Sequence, residues 1–153
     1  MTTVKFLRID DRLIHGQVIV GWLPTVAPEK LVVVNDKVND DPMRQELMSL
    51  SVPPTVELEF YSTSDISEDD VDEDTFVLVA SPADALACLE AGIEPEKFNV
   101  GGMHSKEGKE EIFEALHVDA NDRKDFAAIL KKGAVPIFQP TPQNEPVRLG
   151  DIL

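Results

Sequence analysis

Cysteine is almost absent from this chain: Cys88 stands alone among 153 residues. An internal disulfide is therefore excluded, and Cys88, set in DALACLEAG, reads as a small buried hydrophobe. Also missing is any apolar run near the roughly 20 residues that a membrane-spanning helix needs. The start, MTTVKFLRID, lacks the apolar stretch and cleavage pattern of a secretory signal, so a cytoplasmic location is expected. Basic residues are scarce, with 14 Lys and Arg against 29 Asp and Glu, and the formal net charge is −15. A field of that sign repels nucleic acid and anionic lipid, so neither is expected as a partner. No internal repeat, inter-domain linker, P-loop or dinucleotide fingerprint is present, and the length suits one domain over residues 1–153.

What the chain does contain is an alternation of strand and helix signals. VKFLRI (4–9) and the unbroken apolar run KLVVVN (30–35) predict buried strands, with GQVIVGWLPTV at helix-compatible spacing between them. NDDPMRQELMSLS predicts a helix, with Asn39, Asp40 and Asp41 as cap candidates, Pro42 in the first turn, and Met43, Leu47 and Leu50 at helical spacing. Strands follow at TVELEFYS and TFVLVAS, a helix at PADALACLEAG, a short strand at KFNVGGM and a helix at ANDRKDFAAILKKG. AVPIFQP reads as the last strand, near an edge because Pro136 cannot donate a ladder hydrogen bond. IFEALHVD fits helix or strand. From Asp65 to Asp74 seven of ten residues are acidic, which predicts a solvated surface segment. The expected class is α/β: an open mixed, mainly parallel sheet flanked by helices.

In such sheets ligands gather beyond the carboxyl ends of the strands, and the segment that follows the first strand there is RIDDRLIHGQV. Its histidine, His15, can be a nucleophile, a base, a metal ligand or a structural residue. Its neighbours suit phosphate. A histidine that takes a phosphoryl group needs one neutral ring nitrogen facing the donor, an acceptor orienting the other nitrogen, and cations to balance the phosphoryl oxygens. Arg12 and Arg8 supply planar forks for those oxygens. Asp10 or Asp11 can hold the ring or lock an arginine, and Gly16 leaves space for an approaching partner. The bland alternative makes Asp10 and Asp11 helix caps and the arginines surface ion pairs, each worth only about 0–1 kcal/mol. No regularly spaced second histidine completes a metal site, and the two arginines oppose a cation. His104 and His117 read as structural. The glycine pair in NVGGM can face an anion with its amides or make a tight turn.

RIDDRLIHGQV resembles the phosphorylation-site segment of IIB subunits of the mannose/fructose/sorbose class of the bacterial phosphoenolpyruvate-dependent sugar phosphotransferase system. The resemblance extends through VVVNDKVNDDPMRQELMSLSVPP, NVGGM and HVDANDRKDFAAILKKGAVP. It implies a strand around Leu116–Val118 and a phosphorelay in which His15 accepts a phosphoryl group from a IIA domain. His15 then passes it to a sugar presented by membrane IIC/IID components, at whose cytoplasmic face the chain sits. Arg12 stabilises the phosphoryl group, Arg8 assists, Asp10 orders the loop, and the ring nitrogen nearer the backbone carries the phosphate. No cofactor or metal is implied, and a homodimer stands as a possible assembly. A regulatory phosphohistidine protein without sugar transfer is the alternative, and a non-covalent nucleotide or small-ligand module a more distant one. An acidic 62–74 connection departs from the family pattern. A local basic face around Arg8, Arg12, Lys106 and Lys109 would offset the overall charge.

Overall fold

The computed structural model describes residues 1–153. Its main sheet has seven strands: β2 (Phe6–Asp10), β3 (Lys30–Val34), β4 (Glu57–Tyr61), β5 (Thr75–Val79), β7 (Phe98–Gly102), β10 (Pro136–Phe138) and β11 (Val147–Arg148). They lie in the order β11-β10-β7-β2-β5-β3-β4, parallel throughout except for β11. Three-residue strands β1 (Thr2–Val4) and β6 (Ile93–Pro95) form a small parallel pair apart from the main sheet. The expected first strand is thus divided at Lys5 between two sheets. An antiparallel hairpin, β8 (Glu110–Phe113) and β9 (Leu116–Val118), settles IFEALHVD in favour of strand at the residues implied by the family.

Alternation along the strands builds two cores. On β3, Val32 and Val34 join Leu7, Ile9, Val77 and Val79 beneath α4 (Pro82–Glu90) and α5 (Ala120–Lys131). Leu31 and Val33 join Phe6, Phe76 and Leu78 on the other face, against Val18, Trp22, Val38 and Met48. Side chains two residues apart point to one face of a sheet, so each run of consecutive apolar residues serves both cores. Cys88 sits fully buried on α4, where burial pushes its thiol up to about 12.

Several expectations need amendment. The segment after β3 forms two helices, α2 (Asp36–Asn39), capped by Asn35, and α3 (Pro42–Ser49), capped by Asp41. Met43, Leu47 and Leu50, whose spacing announces α3, face solvent, while Met48 supplies the buried contact. The acidic 65–74 segment is not wholly solvated, because Ile66 and Val71 are buried in the larger core and pin it at two points. AVPIFQP is not the last strand: β11 follows it and takes the edge, with Pro136 lying outside the β10–β11 register. No helix is long and apolar enough to cross a membrane.

The connections place the site. From β2 the chain moves towards β3 on one side, and from β7 it moves towards β10 on the other. The carboxyl ends of β2 and β7 therefore border the crevice where strand order reverses, the place such sheets use for ligands. A bulge lies there, because Ile9 faces Val100 but Asp10 faces Gly102, leaving Gly101 as the extra residue.

Candidate active site

Alternation along Phe-Leu-Arg-Ile-Asp turns Leu7 and Ile9 to one face of β2 and Phe6, Arg8 and Asp10 to the other. Arg8 and Asp10 are both fully buried. Nη2 of Arg8 donates to Asp10 Oδ2 at 2.9 Å, and Nη1 donates to Asn99 Oδ1 at 2.7 Å and to the Gln139 carbonyl at 3.4 Å. The guanidinium also lies 5.7 Å from the centroid of the Trp22 ring, and its Nε is left without a partner. Burial pulls the Arg8 pKa below its ordinary value, an effect that Asp10 partly offsets. Arg8 is therefore not beside Arg12 at the surface, as expected of a direct phosphate contact; it holds Asp10 from behind.

Asp10 connects this buried layer to His15. Its Oδ1 accepts the Arg12 backbone N–H at 3.0 Å, and its Oδ2 lies 2.8 Å from His15 Nε2. Burial raises the Asp10 pKa, but the hydrogen bond from His15 and the Arg8 charge outweigh it, and the carboxyl is held below its usual range. An ionised carboxylate only accepts, so Nε2 of His15 carries the proton and Nδ1 keeps its lone pair. The turn between them is shaped by Leu13, which adopts a left-handed φ of 56° with its side chain buried. Leu13 N–H closes that turn on the Asp10 carbonyl at 2.9 Å.

After His15 the chain enters a π-helical segment, Gln17–Trp22, which runs into α1 (Leu23–Val26). The Gln17 amide lies 3.4 Å from His15 Nδ1, a long contact on the ring nitrogen left free. Arg12 is exposed, and its guanidinium makes no hydrogen bond or ion pair within the chain. Arg12 and Gln17 line an open cleft of about 790 Å³ together with His104, Phe113, Thr141 and Asn144.

The glycines of NVGGM are strand residues and do not make a tight turn. Both are buried residues of β7: a Cβ on Gly101 would fall 1.9 Å from Arg8 Cζ, and one on Gly102 would lie 2.8 Å from His104 Cε1 and 3.2 Å from Asp10 Oδ1. They make room for the charged side chains. Gly16 is the opposite case, helical in backbone with nothing within 4 Å of an added Cβ. Gly101→Ala should cost about 3 kcal/mol by overpacking, whereas Gly16→Ala should raise stability by about 0.4–1 kcal/mol; urea unfolding of both variants checks the opposite signs.

Sequence reasoning did not find three of the supports, Asn99, Gln139 and Trp22. Trp22 Nε1 donates to the Pro140 carbonyl at 2.8 Å, drawing the loop after β10 towards the site. It also left Asp11 and His104 unpaired. His104 Nδ1 donates to Asp11 Oδ1 at 2.5 Å and its backbone N–H to Asp11 Oδ2 at 2.7 Å. Ligand atoms of Asp10, Asp11 and His104 lie within 4.8 Å of one another, but the Arg8 charge on Asp10 acts against a cation there. His117 is structural in its contacts, bonding the Met103 carbonyl and Glu111. Lys109 is tied to Asp122 at 2.7 Å, so the expected basic face loses it as well as Arg8.

Residues 4–153 match the family model described as the sorbose-subfamily IIB component of the PTS system. The N-acetylgalactosamine-specific phosphotransferase enzyme IIB component 2 of Escherichia coli K12 is 32% identical, with all of both chains aligned. The mannose-specific EIIAB component of the same organism is 31% identical over 85% of this chain and 42% of that protein. Among solved structures, the IIBSor domain of the Klebsiella pneumoniae sorbose permease superposes with a TM-score of 0.89 at 28% identity, covering 99% of this chain and 95% of that one. The E. coli N-acetylgalactosamine-specific IIB component 1 gives 0.88 at 30% identity, covering 95% and 99%. With this fold and a histidine-centred site at its switch point, the chain belongs to the sorbose subfamily of phosphotransferase-system IIB components, proteins of phosphoryl transfer in sugar uptake.

Proposed function

We propose that residues 1–153 act as one IIB domain in which His15 accepts a phosphoryl group on Nδ1 from a IIA phosphohistidine. His15 then delivers it to a sugar hydroxyl presented by membrane IIC/IID proteins at the cytoplasmic face. The observation that carries this reading is the Asp10–His15 contact at 2.8 Å: it fixes the proton on Nε2 and leaves Nδ1 as the nucleophile. In the first step the Nδ1 lone pair forms the new N–P bond as the donor's N–P bond breaks and its electron pair returns to the donor ring. The phosphorylated ring keeps its Nε2–H, and its positive charge faces the Asp10 carboxylate. Arg12 is the exposed cation beside the site that can compensate the phosphoryl oxygens. Arg8, wholly enclosed, acts through Asp10.

Incubation with a phosphorylated IIA protein should place acid-labile phosphate on the wild type and none on His15→Ala. Equal labelling of the two would contradict the assignment. Adding membranes that carry the IIC and IID proteins, with hexoses and N-acetylhexosamines as acceptors, should then yield sugar phosphate; labelled protein without sugar phosphate would favour a regulatory role. Arg12→Lys should fold normally yet transfer about tenfold more slowly, because a point charge does not reproduce a planar fork. Rapid-quench phosphorylation kinetics check this, and an unchanged rate would remove Arg12 from the role.

A further inference from the structure

We infer that His104, oriented by Asp11, is the base that takes the proton from the sugar hydroxyl in the second transfer step. The inference rests on the phosphorelay reading of His15 and adds a catalytic residue from this chain to it. Asp11 engages His104 twice, through the ring Nδ1–H at 2.5 Å and the backbone N–H at 2.7 Å. With its Nδ1 proton committed to a carboxylate, the ring presents its Nε2 lone pair elsewhere. The side chain is one-third exposed and lines the same cleft as Arg12 and Gln17, the latter being the residue whose amide faces His15 Nδ1. Gly102 allows the ring this position, since a Cβ there would collide with it. Two histidines thus hang on adjacent carboxylates, His15 by Nε2 from Asp10 and His104 by Nδ1 from Asp11, so that opposite ring nitrogens remain free.

The two steps of the relay differ in their need for a base. Transfer from one histidine to another moves no proton. Transfer to a sugar does: the hydroxyl oxygen forms the O–P bond, the Nδ1–P bond breaks, and its electron pair returns to His15 as a neutral ring. The hydroxyl proton passes to His104 Nε2, leaving an imidazolium paired with Asp11 that later releases the proton to water.

The test separates the steps. His104→Gln, whose side-chain amide can still donate to Asp11, is expected to acquire phosphate from phosphorylated IIA protein within about twofold of the wild-type rate. Its discharge to sugar in membranes carrying IIC and IID should be about 100-fold slower, the scale of general-base catalysis. In His104→Ala, added imidazole should restore part of the sugar transfer, since the open cleft admits it, while leaving IIA-dependent phosphorylation unchanged. Sugar transfer by His104→Gln at the wild-type rate, or equal slowing of both steps, would overturn the base assignment while leaving the His15 relay standing. A wild-type protein that takes no phosphate on His15 would overturn the relay itself and the step that His104 serves.

Discussion

Arg8→Met should lower the stability of the protein by about 3–5 kcal/mol, because it strands the Asp10 carboxylate in a buried site whose main positive partner has gone. For a chain of this length that corresponds to a fall in melting temperature of about 6–20 °C. The loss has several physical parts. Arg8 is fully buried, and its removal also leaves Asn99 Oδ1 without a donor and takes a cation from the face of Trp22. Methionine keeps most of the aliphatic volume, so a large effect reports the lost charge and hydrogen bonds more than a cavity. The double variant Arg8→Met/Asp10→Asn should recover part of the loss, because buried ion pairs are replaced by neutral groups more cheaply than they are broken. Thermal or urea unfolding of the two variants measures the difference. A double variant no more stable than Arg8→Met would show that the charge of Asp10 is not what the single substitution strands.

Asp10→Asn should slow phosphoryl acceptance by about 10²–10⁴-fold, the range seen when the carboxylate behind a catalytic histidine loses its charge and the ring its fixed tautomer. Asparagine has one acceptor oxygen where the carboxylate has two; with that oxygen kept on the Arg12 N–H, its NH₂ faces His15 at the Oδ2 position and the Arg8 hydrogen bond is given up. In that arrangement Nε2 becomes the acceptor, Nδ1 carries the proton, and the nucleophile is lost. The carboxylate also faces the charge that develops on the ring when phosphate is attached, which the amide cannot do. Burst measurements with phosphorylated IIA protein check the rate. Acid unfolding gives an independent sign. The Asp10 pKa is held below its ordinary value in the folded protein, so its stabilising contribution is present above the unfolded-state value, about 3.9, and fades as pH falls through the lower folded value. Wild type should accordingly lose more stability than Asp10→Asn on acidification through that window.

Much of the fold is legible in the chain because its signals are local. KLVVV and TFVLV are consecutive apolar runs, and the structure buries them on both faces of one sheet at β3 and β5. Asp41, one of three cap candidates in its segment, caps α3, whereas α4 and α5 are capped by Ser81 and Asp119, residues their helical patterns did not single out. The exposed stripe of α3 was misleading for a physical reason: helical spacing shows that residues share a face, not which face meets the sheet. Side-chain hydrogen bonds from Gln45 to the carbonyls of Val38 and Asn39 help tie α3 down beside Met48.

The site divides in the same way. His15, Arg12 and Asp10 lie within six residues, and their chemistry can be read there as a unit. The role of Arg8 depends on Asn99 and Gln139, 91 and 131 residues away, which meet it only because β2, β7 and β10 are neighbours in a parallel sheet. One local signal was available: Arg8 and Asp10 share the parity of Phe6, which marks both for the inner face. The partnership of Asp11 with His104 spans 93 residues and has no such signal. NVGGM reads in sequence as an anion site or a tight turn, and the arginine that needs the space its missing side chains leave came into view only when β2 and β7 were brought together.

Whether Asp10 directs phosphate to one nitrogen of one ring is decided by phosphorus–nitrogen correlation in the NMR spectrum of ¹⁵N-labelled protein phosphorylated by a IIA donor. Phosphorus should couple to Nδ1 of His15, with Nε2 still protonated. Phosphate on Nε2 of His15, or on any other residue, would contradict it.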